Sequence, residues 1–290
     1  MPESKPHIPD AVANKLRRHE ITADQSRAFE AHLERVEEEI YSHAVIRHNP
    51  YTRWFRGGTA NTPQVRDLVV QFSVFSNYFL PLEAKRMVNA LTEEEEKKAR
   101  SILCNELGVP INVRTGSIEG FRFSHDHAHI KWLRDIGESL GLGRDELGKW
   151  RLGTAATHQF LEDLERVYGS PDNAIGSGAS FAVESWAGFG IGQNEAAENN
   201  NFWKELITGL ESYNEKHRAG GGLPSVDVGF FQHHFDLELA HVRNVEEELA
   251  ETFFMGSFDE DKWYDGARRA LDAVHIFWKG LDQARRQLGD

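Results

Sequence analysis

The chain has 290 residues, 40% of them hydrophobic, which is enough for one sizeable core. A net charge of −13 argues against nucleic-acid backbones and anionic membrane surfaces as partners, since both need concentrated Lys and Arg. The lone cysteine, Cys104, excludes an intrachain disulfide and a thiolate metal cage.

Apolar positions recur at helical spacing almost throughout, so the expected fold class is all-α. The first twenty residues are polar and read as a loose arm, with a single helical domain over 21–290. The opening segment lacks the apolar stretch of a signal peptide and no run approaches a membrane span, so a cytoplasmic protein is expected. Periodicity predicts a long helix over 22–47, with Phe29, Leu33, Val36, Ile40 and Val45 inward. The stretch YTRWFRGGTANTP reads as a loop, and Pro63 opens the next helix. Its aromatic residues Phe72, Phe75 and Tyr78 are candidate pocket walls as well as ordinary core. Thr92 and Glu95 predict a capping box for a helix ending near Gly108. After the loop VPINVRTGSIEGF, helical pattern resumes from Ser124 to Leu140. Further helices are predicted at about 144–168, 174–190, 197–217, 227–254 and 259–287, with Gly220-Gly221-Gly222 and Pro224 as a break.

The strongest chemical signal is His234, Glu238 and His241. At i, i+4 and i+7 they share one helical stripe. Two imidazoles and a carboxylate facing one way suit iron, manganese or zinc. A second histidine group, His125, His127 and His129, places His125 and His129 on one face of a regular helix. Glu184 stands among small and aromatic residues, where a buried carboxylate needs a cation or a proton. Glu106 sits at a helix C-terminus, where the dipole disfavours an acid and a bound cation would relieve it.

In order along the chain, these segments resemble the haem-oxygenase-like diiron oxidase superfamily, whose fold is shared with thiaminase and coenzyme PQQ synthase relatives. Asn105-Glu106-Leu107-Gly108 is similar to that family's glutamate helix end. His129 with Trp132 and Leu133 is similar to its histidine helix. Gly178-Ala179, followed five residues later by Glu184, is similar to its second glutamate helix, and His234, Glu238 and His241 to its last stretch. The resemblance implies a haem-oxygenase-like helical bundle with two Fe(II) ions held by Glu106, His129, Glu184, His234, Glu238 and His241, and dioxygen as co-substrate. His125 and His127 stay open as rivals to His129, and Glu83 is a candidate for an additional ligand. The implied activity is oxygenation or oxidative C–C cleavage of a small amine or amino-acid-like molecule. Oxidative decarboxylation of a fatty acid is an alternative. So is metal-free acid–base chemistry like that of the thiaminase and PQQ-synthase relatives, and a non-enzymatic helical binding protein is a third. A homodimer is the default for exposed helical faces.

Overall fold

The computed structural model describes residues 10–112, 117–189, 201–219, 225–254 and 258–289; of residues 10, 11, 189, 218, 219 and 238–248 it describes the backbone only. Among these residues the protein is a single-domain helical bundle without a β-strand. Its helices are α1 (Asp10–Arg17), α2 (Ala23–Val36), α3 (Ala44–Arg47), α4 (Pro50–Arg56), α5 (Thr62–Val88), α6 (Glu93–Leu107), α7 (His129–Ser139), α8 (Ala155–Tyr168), α9 (Asn173–Phe189), α10 (Phe202–Ala219), α11 (Gly229–Phe253) and α12 (Glu260–Leu288). No helix among the described residues is long and apolar enough to cross a membrane.

Several predicted boundaries move, each for a local reason. The helix predicted over 22–47 is interrupted by a π turn at Glu37–Tyr41, and α3 restarts behind His43, whose Nδ1 accepts from the Val45 amide. The expected loop after it contains α4. Asn49 caps that helix by accepting from the amides of Tyr51 (3.1 Å) and Thr52 (3.2 Å), and Pro50 fills its first position. At α6, Thr92 Oγ1 accepts from the Glu95 amide as predicted, but the Glu95 carboxylate accepts from Leu91 rather than closing the box on Thr92. The stretch 144–168 opens with two 3₁₀ turns before Thr154 caps α8. Part of the loose arm expected over 1–20 is α1, with Val12 buried, and residues 1–9 lie outside the described residues. So does the predicted Gly220–Pro224 break.

At the centre, α12 runs between α8 and α9, burying Leu271, Val274, Phe277 and Trp278. Contact between α9 and α12 is backbone-close. A Cβ on Gly178 would strike the Trp263 carbonyl, and a Cβ on Gly266 would strike the Ile175 carbonyl. This reciprocal glycine pair seats α9, which carries Glu184, against the core. Helix α5 runs unbroken through Pro81 and buries Phe72, Phe75 and Glu83. The open side of this core, between α5, α6, α7, α9 and α11, is where the acidic and imidazole side chains gather.

Candidate metal centre

Each of three short segments delivers one group. Helix α6 ends at Gly108, which takes a left-handed φ of +117°. The Gly108 carbonyl accepts from the Ser124 amide at 2.9 Å, and a Cβ on Gly108 would collide with the Ser124 carbonyl. That bond brings Ser124 back onto the helix end. Asn105 helps, its Nδ2 donating to the Val109 carbonyl at 3.0 Å. Glu106, in the last turn of α6, thereby meets His129 at the first position of α7, with 2.9 Å between Glu106 Oε1 and His129 Nδ1. A carboxylate that the α6 dipole alone would disfavour is compensated by this imidazole.

His234 arrives from α11. Its ring lies 4.7 Å from the His129 ring at a steep 70° angle, and Trp203 stacks on it at 4.7 Å. Its Nδ1 donates to the Phe230 carbonyl at 2.7 Å. A carbonyl only accepts, so the proton sits on Nδ1 and the Nε2 lone pair is left for another partner. Burial pushes the His234 imidazole well below its usual pKa, the neighbouring His129 and His233 add to this, and Glu106 and the Phe230 carbonyl oppose it. The neutral imidazole is the form that binds a metal. One ligand atom each of Glu106, His129 and His234 lie within 4.8 Å of one another.

These three groups and Glu184 line one cavity of about 60 Å³. Glu184 is the single charged residue of α9 and is buried. The walls are aromatic, from Phe72, Phe75, Phe79, Trp186, Trp203 and Phe230. Behind them Glu83 is fully buried, with Oε1 accepting from the Tyr168 hydroxyl and Oε2 lacking a hydrogen-bond partner. Burial raises the Glu83 carboxyl to about 8; Tyr168 works against this, and the charges of Glu184 and Glu106 work with it.

Of the sequence candidates, Glu106, His129 and His234 converge, and Glu184 shares their cavity. His125 and His127 sit exposed in a 3₁₀ turn, because extended Ala128 (φ −69°, ψ 129°) separates that turn from α7. Glu238 and His241 lie on α11 with their side chains outside the described residues. Tyr78 does not line this cavity. It packs on Trp150 at 5.0 Å and lines a separate groove with Pro81 and Leu161. Sequence reasoning missed His233, whose ring stands 5.5 Å from His129, and the walls Trp186, Trp203 and Phe230. Adjacency to His234 was the one available sign for His233.

The fold resembles that of a CADD-like protein from Nostoc punctiforme. Two solved structures of that protein, described as of unknown function, align at TM-scores of 0.62 and 0.60 with 16% and 17% identity. Both cover 89% of this chain, and the match spans 99% and 96% of theirs. No protein-family model and no curated protein matches the chain.

Proposed function

We propose that the protein is a non-haem diiron oxidase or oxygenase acting on a small amine or amino-acid-like molecule. The convergence of Glu106, His129 and His234 within 4.8 Å, inside an aromatic cavity, carries this reading. Two imidazoles with carboxylates are a donor set that iron accepts, and the His234–Phe230 bond is the outer contact such a ligand needs to hold its tautomer. Glu106, His129 and His234 would hold one iron, and Glu184, Glu238 and His241 the other. When bound, ferrous ions supply the electrons that reduce dioxygen.

The chain's own residues do the rest. Phe72, Phe75, Trp186 and Trp203 keep bulk water from the cavity, which strengthens every charge interaction inside it. Before a metal binds, burial favours the protonated form of the Glu83 carboxyl, whose Oε1 accepts from Tyr168. An extra negative charge beside Glu106 and Glu184 is thereby avoided.

An anaerobic ferrous titration, followed by mixing with oxygen under visible absorbance, tests the reading. It predicts two irons per chain and an oxygen-dependent colour change. Absence of iron uptake by protein with native circular dichroism would overturn it. The direct Glu106–His129 contact favours one alternative, a metal-free enzyme in which this pair is a general acid–base dyad. That enzyme would turn over its substrate in the presence of a chelator.

A further inference from the structure

Helix α5 turns one side to the cavity, and that side is aromatic except at Ser76. At about 100° per residue, Phe72, Phe75, Ser76 and Phe79 fall within about 100° of arc. All four line the cavity. Phe75, Ser76 and Phe79 keep 9%, 8% and 8% of their surface, whereas Ser73 and Val74 keep none. The Phe75 ring packs on Phe72 at 5.7 Å and on Phe79 at 5.8 Å, and Phe72 reaches Phe230 at 6.1 Å, beside His129 and His234.

A helical serine can return its hydroxyl to a carbonyl of the preceding turn. Ser73 does so, donating to Val70 at 2.7 Å. Ser76 Oγ makes no hydrogen bond among the described residues, and it is not sealed in packing as Trp186 Nε1 is. The other donors of the wall are committed. Trp203 Nε1 donates to the Ala187 carbonyl at 3.1 Å, and Asn105 Nδ2 to the Val109 carbonyl at 3.0 Å. The carboxylates of Glu106 and Glu184 and the free nitrogen of His234 offer lone pairs. Among the wall groups outside that donor set, the hydroxyl of Ser76 is the one left to meet an acceptor.

We propose that the Ser76 hydroxyl donates a hydrogen bond to the acceptor atom of a small molecule that occupies this cavity, which makes Ser76 a specificity residue of the site. This rests on the metal-dependent reading above. At about 10–15 Å³ per water, a cavity of about 60 Å³ has room for roughly four to six waters. A molecule filling so small a space touches the Ser76 wall and the Glu106, His129 and His234 wall together. A carboxylate of an amino-acid-like substrate and a ligand of dioxygen size share the required chemistry, a lone pair on a compact group.

The test loads wild type, Ser76→Ala and Ser76→Cys with cobalt(II), whose visible bands shift when a ligand reaches it, and titrates each with azide and with acetate. Cobalt stoichiometry should be equal in all three. Ser76→Ala should bind azide, acetate or both at least about tenfold more weakly than wild type, with Ser76→Cys, a weaker donor of similar shape, between. The direction decides between mechanisms: removing one oxygen enlarges the space, so a purely steric role predicts equal or tighter binding. A loss confined to acetate assigns the hydroxyl to the substrate, and one confined to azide assigns it to the ligand of dioxygen size. A smaller loss for both probes, tighter binding, or a changed cobalt stoichiometry in Ser76→Ala overturns the proposal, as does a cobalt-loaded wild type that binds neither probe. Should Ser76→Ala fail to fold, Ser76→Cys decides, with a loss of at least about threefold expected. Failure of wild type to take up cobalt would instead overturn the metal reading.

Discussion

The Ser124 amide and the Gly108 carbonyl, 2.9 Å apart, tie the end of α6 to the approach of α7, and that tie sets Glu106 against His129. Gly108→Ala therefore strains a left-handed residue and forces its Cβ into the Ser124 carbonyl. We expect a loss of about 1–3 kcal/mol in thermal or urea unfolding. Weaker ferrous or cobalt binding should accompany it in calorimetry. Unchanged metal affinity would mean that the tie does not position the pair.

The three histidines of the 125–129 segment should separate cleanly. His129→Ala should weaken metal binding by at least about tenfold, and His125→Ala and His127→Ala should leave it unchanged. Calorimetric titration of the three variants checks this. Equal losses would place the exposed turn in the site.

Glu83 gives the metal-free protein a pH dependence of definite sign. Its folded pKa is about 8 against an ordinary 4.5, so the folded state holds a proton that the unfolded state has released between these values. This contribution to stability is at its most favourable below about pH 4.5, falls as pH rises to about 8, and is level above that. Unfolding midpoints measured in chelator across this range should show the decline. Glu83→Gln, which can still accept from the Tyr168 hydroxyl, should flatten it.

The glycine pair makes a packing prediction. Gly178→Val must push α9 away from the Trp263 carbonyl of α12, at a cost of about 1–3 kcal/mol or more. The melting temperature should drop, and metal stoichiometry should fall with it, because Glu184 rides on the same helix six residues on.

His129 shows where sequence reading stops. Apolar spacing predicts a helix from Ser124, which would put His125 and His129 on one face. The break at Ala128 depends on the loop being pulled onto Gly108, a long-range contact that periodicity cannot express. Glu184 was legible for the opposite reason. A lone carboxylate among small and aromatic residues is chemically out of place wherever the helix packs. The helix over Pro50–Arg56 was missed although Asn49-Pro50 is a start signal, because Gly57-Gly58 and the short apolar run read as loop. Trp186, Trp203 and Phe230 carry no local mark at all. An aromatic residue facing a cavity and one filling a core have the same neighbours in sequence.

Phe230 serves the site twice, through different atoms: its carbonyl holds His234, and its ring packs on the His129 and His234 rings at the cavity wall. Every amino acid supplies the carbonyl, and only the side chain shapes the wall. Exchange at this one position can thus reshape the cavity wall while the bond that orients His234 is inherited unaltered, so a lineage could alter the space beside the candidate metal centre without first dismantling it.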